Sequence, residues 1–219
     1  MRGLFSMDSP FFQFLSRMAD LIVLNLIFIV CCVPVITIGP ALTALNYVTL
    51  KTAAGEDCFI VRSFFKSFRQ NFRQALIIWL LMLVVGGALA YNFYTLWGSS
   101  DQLQIIILIF SGIAAVGWIM IALYVFPLLA KFDNTVYKTL LNAMVMSVAN
   151  FTKTISAFML VFSCALLTFY TLDTIRWGIL AWLVIGFSLI AYFNSMLFNK
   201  VFAKYIPTES EEEKEEEES

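Results

Sequence analysis

No histidine occurs anywhere in the 219 residues, which removes the commonest general base and the commonest nitrogen ligand for a metal. Charged residues are scarce at 13%, and none lies within five long apolar stretches at 21–38, 75–97, 103–130, 155–172 and 177–198. An ionisable group at membrane depth is costly and marks a transport path, a proton relay or an intramembrane active site. The sequence offers none, so it points away from an enzyme. No glycine-rich phosphate loop, no paired carboxylates in an apolar stretch and no metal-ligand cluster occur, so no cofactor is expected. The four cysteines make no framework: Cys31 and Cys32 are adjacent and diverge on a helix, Cys164 lies mid-stretch, and Cys58 sits alone in a polar connection.

What is abundant is apolar surface. Hydrophobic residues make up 61% of the chain, with 22 Phe, 8 Tyr and 5 Trp, against about half for a soluble domain. Spanning a bilayer takes about 20 apolar residues, and each main stretch is near that length. The first reads as a membrane segment rather than a cleavable leader, because Pro34 to Pro40 lead into further apolar sequence. The expected fold is an all-α, polytopic integral membrane protein with about five transmembrane helices joined by amphipathic cytoplasmic helices. It would form one membrane domain over 1–207, followed by a disordered acidic cytoplasmic tail over 208–219. That tail carries eight glutamates and one lysine, leaving 13 basic and 7 acidic residues, about +6, on the rest of the chain.

The bases alternate. Lys51, Arg62, Lys66, Arg69 and Arg73 precede the second stretch, and none falls between the second and third. Lys131, Lys138 and Lys153 come next, then Arg176 beside Asp173 as a local pair, then Lys200 and Lys204. By the positive-inside rule the basic gaps and the carboxyl terminus face the cytoplasm. Arg2 and Arg17 fit less well, because a single crossing over the first stretch leaves them outside. The alternative is a re-entrant element bent about Gly39-Pro40 and returning to the cytoplasmic side. The single crossing is the expectation here, since residues 21–50 are too short for two full crossings.

Residues 61–73 have the clearest period. On a helix, Arg62, Lys66, Arg69 and Arg73 form a narrow cationic ridge, and Val61, Phe64, Phe65, Phe68 and Phe72 form the adjoining face. That pattern predicts an interfacial helix lying on the anionic inner leaflet. The ridge reads as a topology determinant or as a surface that docks a partner. Nucleic acid is not expected, because four bases facing a membrane make a poor phosphate track. A second connecting helix is expected over Val136, Leu140, Leu141, Met144, Val145 and Val148.

Gly39 and Pro40 are the candidate helix break, which transporters use to build solute sites. The polar residues Asn25, Asn46, Asn92, Asn194, Thr37, Thr43, Ser111, Ser163, Thr168 and Ser188 can bond their own backbone or join helices. They also leave open a neutral-solute permease or channel. Residues 71–132 and 150–205 pair as a hairpin repeat: Asn71-Phe72-Arg73-Gln74 matches Asn150-Phe151-Thr152-Lys153, and Leu129-Ala130-Lys131-Phe132 matches Phe202-Ala203-Lys204-Tyr205.

Several blocks carry a resemblance. They are Cys32-Val33-Pro34, Ile38-Gly39-Pro40-Ala41-Leu42-Thr43-Ala44-Leu45, Tyr47-Val48-Thr49-Leu50-Lys51, Gly55-Glu56 and Ser63-Phe64-Phe65-Lys66-Ser67-Phe68-Arg69-Gln70-Asn71-Phe72. Phe132-Asp133-Asn134 and Ala149-Asn150 extend them. In these the chain resembles the YesL-like family of bacterial membrane proteins, also called domain of unknown function 624. The resemblance implies a multi-helix membrane protein encoded near carbohydrate-uptake transporters and sensor kinases. It implies an accessory or regulatory role with such subunits as partners, and no catalytic residues.

Overall fold

A computed structural model of the chain describes residues 10–98 and 101–205. The expected acidic tail over 208–219 lies outside them. The described residues are helical and contain no strand. The elements are α1 (Pro10–Cys32), a 3₁₀ turn (Val35–Thr37), α2 (Ile38–Ala54), α3 (Ile60–Leu96), α4 (Gln102–Lys131), α5 (Val136–Ala149), α6 (Phe151–Phe169), α7 (Leu172–Ala181), a π-helical turn (Trp182–Gly186) and α8 (Phe187–Phe202). Five helical segments are long and apolar enough to cross a membrane: Phe11–Cys32, Ile60–Leu96, Gln102–Lys131, Phe151–Phe169 and Asp173–Phe202. The chain is an all-α, multi-pass membrane protein.

Helix ends follow local chemistry. Asp101 caps α4 by accepting from the Leu103 amide, and Thr135 caps α5 through the Lys138 amide. Thr171 and Thr174 form a reciprocal capping box that starts α7. Gly55, at φ 82°, closes α2 by donating to the Lys51 and Thr52 carbonyls.

The first apolar stretch folds as a bent pair of helices, α1 and α2. The Ser188 hydroxyl donates to Leu21 O, and Asn25 bonds Trp182, Leu183 and Ser188, so α1 runs antiparallel to α8. The chain then turns back. Gly39 lies against Ala75 and Trp79 of α3, and the short 55–59 turn joins α2 to α3, so these two helices are antiparallel as well. The beginning of α1 therefore meets the 55–59 turn: Arg17, Asp20 and Asp57 line one cavity. The start of α1 and the α2–α3 turn thus lie at one end of the bundle, the geometry of the bent alternative to a single crossing. Two full crossings are not required, because α2, with 17 residues, rises only about 25 Å.

The bend itself lies at residues 33–37 rather than at Gly39-Pro40. Pro34 disfavours helical backbone at Val33 and supplies no N–H, so α1 stops at Cys32. Pro40 falls in the first turn of α2, where a missing N–H costs nothing. The carbonyls freed at the bend are satisfied internally. The Thr37 hydroxyl is shared between Cys31 O and Pro34 O (2.6 and 2.7 Å), and the Trp79 indole donates to Val35 O at 2.9 Å.

Beyond this hairpin the remaining helices also pair antiparallel. The Trp118 indole on α4 donates to Met82 O on α3, and the Trp182 indole donates to the Thr168 hydroxyl on α6. The two halves of the expected repeat, 71–132 and 150–205, are thus each a helix pair. They differ at their inner edge, since α3 continues unbroken through Asn71 while the chain breaks between α5 and α6 at Asn150.

Two clusters make up the core, and α2 enters both. Ala41, Ala44, Leu45 and Val48 pack with Leu21, Leu24, Phe28 and Phe64, while Leu50 joins Tyr124, Phe198 and Phe202. One end of the bundle gathers the start of α1, the 55–59 turn, the 131–135 connection and the end of α8. Every described lysine and arginine except Arg176 lies towards that end. Arg17 thereby joins the other bases, which removes the conflict that a single crossing creates.

Candidate functional site

The ridge lies on a helix of unexpected length. Residues 61–73 and 75–97 are not an interfacial helix followed by a crossing but parts of one 37-residue helix, which rises about 55 Å. The aromatic face of its first half packs inside the bundle rather than on lipid. Phe64 is fully buried among Leu24, Ala44 and Val48, and Phe68 packs partly buried against the same cluster. Phe64 and Phe68 stack with centroids 6.1 Å apart, and Phe68 meets Phe72 edge-on at 5.5 Å. The reason is the α1–α2 hairpin, which fills the space beside them. Only Val61 and Phe65 of the expected apolar face remain exposed.

With that face fixed inward, Arg62, Lys66, Arg69 and Arg73 point out, and all four are exposed. None of them makes an ion pair among the described residues. Nearby, Lys51 is paired: it reaches Glu56 at 3.4 Å and sits 5.2 Å from the Tyr47 ring centroid. At the far end Asp173 and Arg176 do not form the expected local pair.

The second connecting helix, α5, forms over the expected residues. In α5 it is Thr139, Ala143, Met146 and Ser147 that are buried, while Leu141, Met144, Val145 and Val148 are exposed. Met146 and the small and self-bonded polar residues take the inner face, and most of the larger apolar side chains face outward.

Gly39 and Pro40 are both buried. A Cβ on Gly39 would lie 2.5 Å from the Trp79 Cβ and 2.6 Å from Ala75 O, so the glycine marks a close helix crossing. Polar residues further along α2 satisfy themselves: Thr43 donates to Gly39 O, Asn46 to Leu42 O, and Thr52 to Val48 O. Thr49 reaches across to Ser195 at 2.8 Å, and Asn199 donates to Leu50 O, which ties α2 to α8.

Asn25 makes three hydrogen bonds in the interior. Its amide nitrogen donates to Trp182 O and Leu183 O (3.0 and 2.8 Å), and its oxygen accepts from the Ser188 amide at 3.0 Å. A π-helical turn disturbs the regular ladder, and this one side chain bonds the groups on both sides of it. Asn194 O is the one described buried side-chain atom without a partner. Sequence reasoning misses the bonds through Trp79, Thr49, Ser195 and Asn199. The available signal is the three-residue spacing of Thr43, Asn46 and Thr49 beside Ala41, Ala44 and Val48, a small and polar face on a weakly apolar helix.

Among known proteins, the family model described as "Protein of unknown function, DUF624" matches residues 21–93. No curated protein and no solved structure matches. The resemblance to this family holds over that stretch, which runs from within α1 through α2 and most of α3 and includes both the ridge and Gly39-Pro40. The similar blocks at Phe132-Asp133-Asn134 and Ala149-Asn150 fall outside it.

Proposed function

We propose that the protein is a non-enzymatic component of the bacterial cell membrane that docks a transporter or sensor subunit through Arg62, Lys66, Arg69 and Arg73. By the positive-inside rule the basic end is cytoplasmic, which puts the ridge and the carboxyl terminus on that side. Carbohydrate uptake is the process that the family resemblance suggests.

The observation that supports docking is the exposure of the ridge: Arg62, Lys66, Arg69 and Arg73 all point away from the bundle, and none has an acidic partner among the described residues, an arrangement suited to an acidic protein surface.

The test is affinity capture from native membranes. Reproducible recovery of transporter or sensor subunits is expected, weakening as salt rises. Changing Arg62, Lys66, Arg69 and Arg73 together to Glu should lower recovery roughly tenfold or more, with membrane insertion intact. Unchanged recovery contradicts the proposal. So does carbohydrate flux into proteoliposomes holding this protein alone, which would favour the permease reading. Trp79 and Ala75 fill the space beside Gly39 and disfavour that reading.

A further inference from the structure

A cleft lies between the first half of α1 and the turn that joins α2 to α3. It consists of two cavities of about 600 and 550 Å³ that share Asp20. The inner part is lined by Val23, Ile60, Val61 and Phe65, with Arg62 at its edge. The outer part is lined by Gln13, Ser16, Arg17 and Asp57. Polarity therefore changes along the cleft, from apolar to charged.

Its charges are balanced but apart. Arg17 and Arg62 are cationic, Asp20 and Asp57 anionic, and none of the four forms an ion pair with another. Each cavity instead holds both signs, Asp20 with Arg62 in one and Asp20 and Asp57 with Arg17 in the other. A ligand bearing both signs would complement them, and one with an apolar tail would fill the inner part. The position fits as well, because the uncharged stretch of α1 begins at Leu21, one residue after Asp20. On its α1 wall the cleft thus lies where charged sequence gives way to uncharged sequence.

We infer that this cleft binds an aminophospholipid, a glycerophospholipid with a phosphoethanolamine headgroup. The phosphodiester takes the Arg17 and Arg62 guanidinium groups, and the primary ammonium donates to the Asp20 and Asp57 carboxylates. An acyl chain lies along Val23, Ile60 and Phe65. Charge-assisted bonds of this kind are short and directional, and an ammonium supplies three N–H donors. A choline headgroup carries the same charges but no N–H. A phosphoglycerol headgroup brings only negative charge and would face the two carboxylates unfavourably. The order of preference is therefore ethanolamine, then choline, then glycerol. A basic surface alone gives the reverse, favouring the anionic lipid.

The experiment is native mass spectrometry of the full chain released from nanodiscs that contain equal amounts of phosphatidylethanolamine, phosphatidylcholine and phosphatidylglycerol. Retention of the ethanolamine lipid about tenfold above the choline lipid is expected, the effect of losing charge-assisted bonds. Asp20→Asn with Asp57→Asn should reduce the ethanolamine lipid to the choline level and spare phosphatidylglycerol. Arg17→Gln with Arg62→Gln should lower retention of all three. Equal retention of ethanolamine and choline lipids by the unaltered chain overturns the assignment. So does a preference for phosphatidylglycerol, or an ethanolamine preference that survives loss of both carboxylates. If a double variant fails to fold, the mono- and dimethylated ethanolamine lipids on the unaltered chain decide alone, since retention should fall stepwise with each methyl group. None of these readouts involves a partner subunit, so their outcome is independent of docking by the ridge.

Discussion

Helices α2 and α4 lie side by side and follow opposite rules. Over its first two thirds α4 is apolar on every side, and Phe110, Ile113 and Val116 are well exposed. Its closing stretch from Tyr124 to Ala130 is enclosed, and before that Ser111 alone is buried. The shorter α2 carries Thr43, Asn46, Thr49 and Lys51, yet Ala41, Thr43, Ala44, Val48 and Thr49 have no exposed surface. In water the greasier helix would be the inner one. In a bilayer, lipid is as good a solvent for leucine as a protein core is, so hydrophobicity tracks contact with lipid. The inner position goes to the helix whose small residues permit close approach and whose polar groups already have partners. Burial and hydropathy come apart here.

That contrast can be broken by one residue. Gly39→Leu on α2 would drive a side chain into Trp79 and the Ala75 carbonyl, whereas a Cβ on Gly117 of α4 would meet no atom within 4 Å. The first change should cost about 3 kcal/mol, at the upper end of overpacking, and Gly117→Leu should cost almost nothing. Thermal unfolding in detergent, followed by size-exclusion chromatography, measures both. A smaller effect is expected from Asn25→Leu, which strips the π-helical turn of three hydrogen bonds, for a loss of about 2 kcal/mol. Asn92→Leu on the outer half of α3 is its control and should be nearly neutral. The smallest effect concerns the link between α2 and α8. A double-mutant cycle of Thr49→Val and Ser195→Ala should give a coupling near 0.6 kcal/mol, the average for such bonds within membranes. A coupling of zero would mean that packing alone holds α2 in place.

Much of the architecture is legible in the sequence because its causes are local. Uncharged stretches locate α3, α4 and α6, and the alternation of bases agrees with a bundle whose basic connections share one end. The bend is harder to place because two signals lie six residues apart. Gly39-Pro40 looks like an interruption, but proline inside a first turn is harmless, and it is Pro34 that ends α1. The direction of α2 cannot be read from periodicity, since it depends on Trp79 and Ala75, contacts made more than thirty residues away. The ridge residues Arg62, Lys66, Arg69 and Arg73 do share one face, as their spacing predicts. Their setting differs from the expected one, because the aromatic face beside them meets a hairpin that the sequence pattern does not announce. Asn25 illustrates the same limit: its role follows from a widened turn near residue 182 at the other end of the chain.

The return of α2 to the basic end is the claim on which the ridge and the lipid cleft both depend. It is tested most directly by labelling single cysteines with a membrane-impermeant thiol reagent in sealed cells, after Cys31, Cys32, Cys58 and Cys164 have been changed to Ala. Ser16→Cys on α1 and Glu56→Cys in the α2–α3 turn should both stay unlabelled until the cells are opened, while Trp97→Cys at the other end of α3 labels at once. Labelling of Ser16→Cys in intact cells together with Trp97→Cys, with Glu56→Cys protected, would make the first stretch a single crossing and contradict the account.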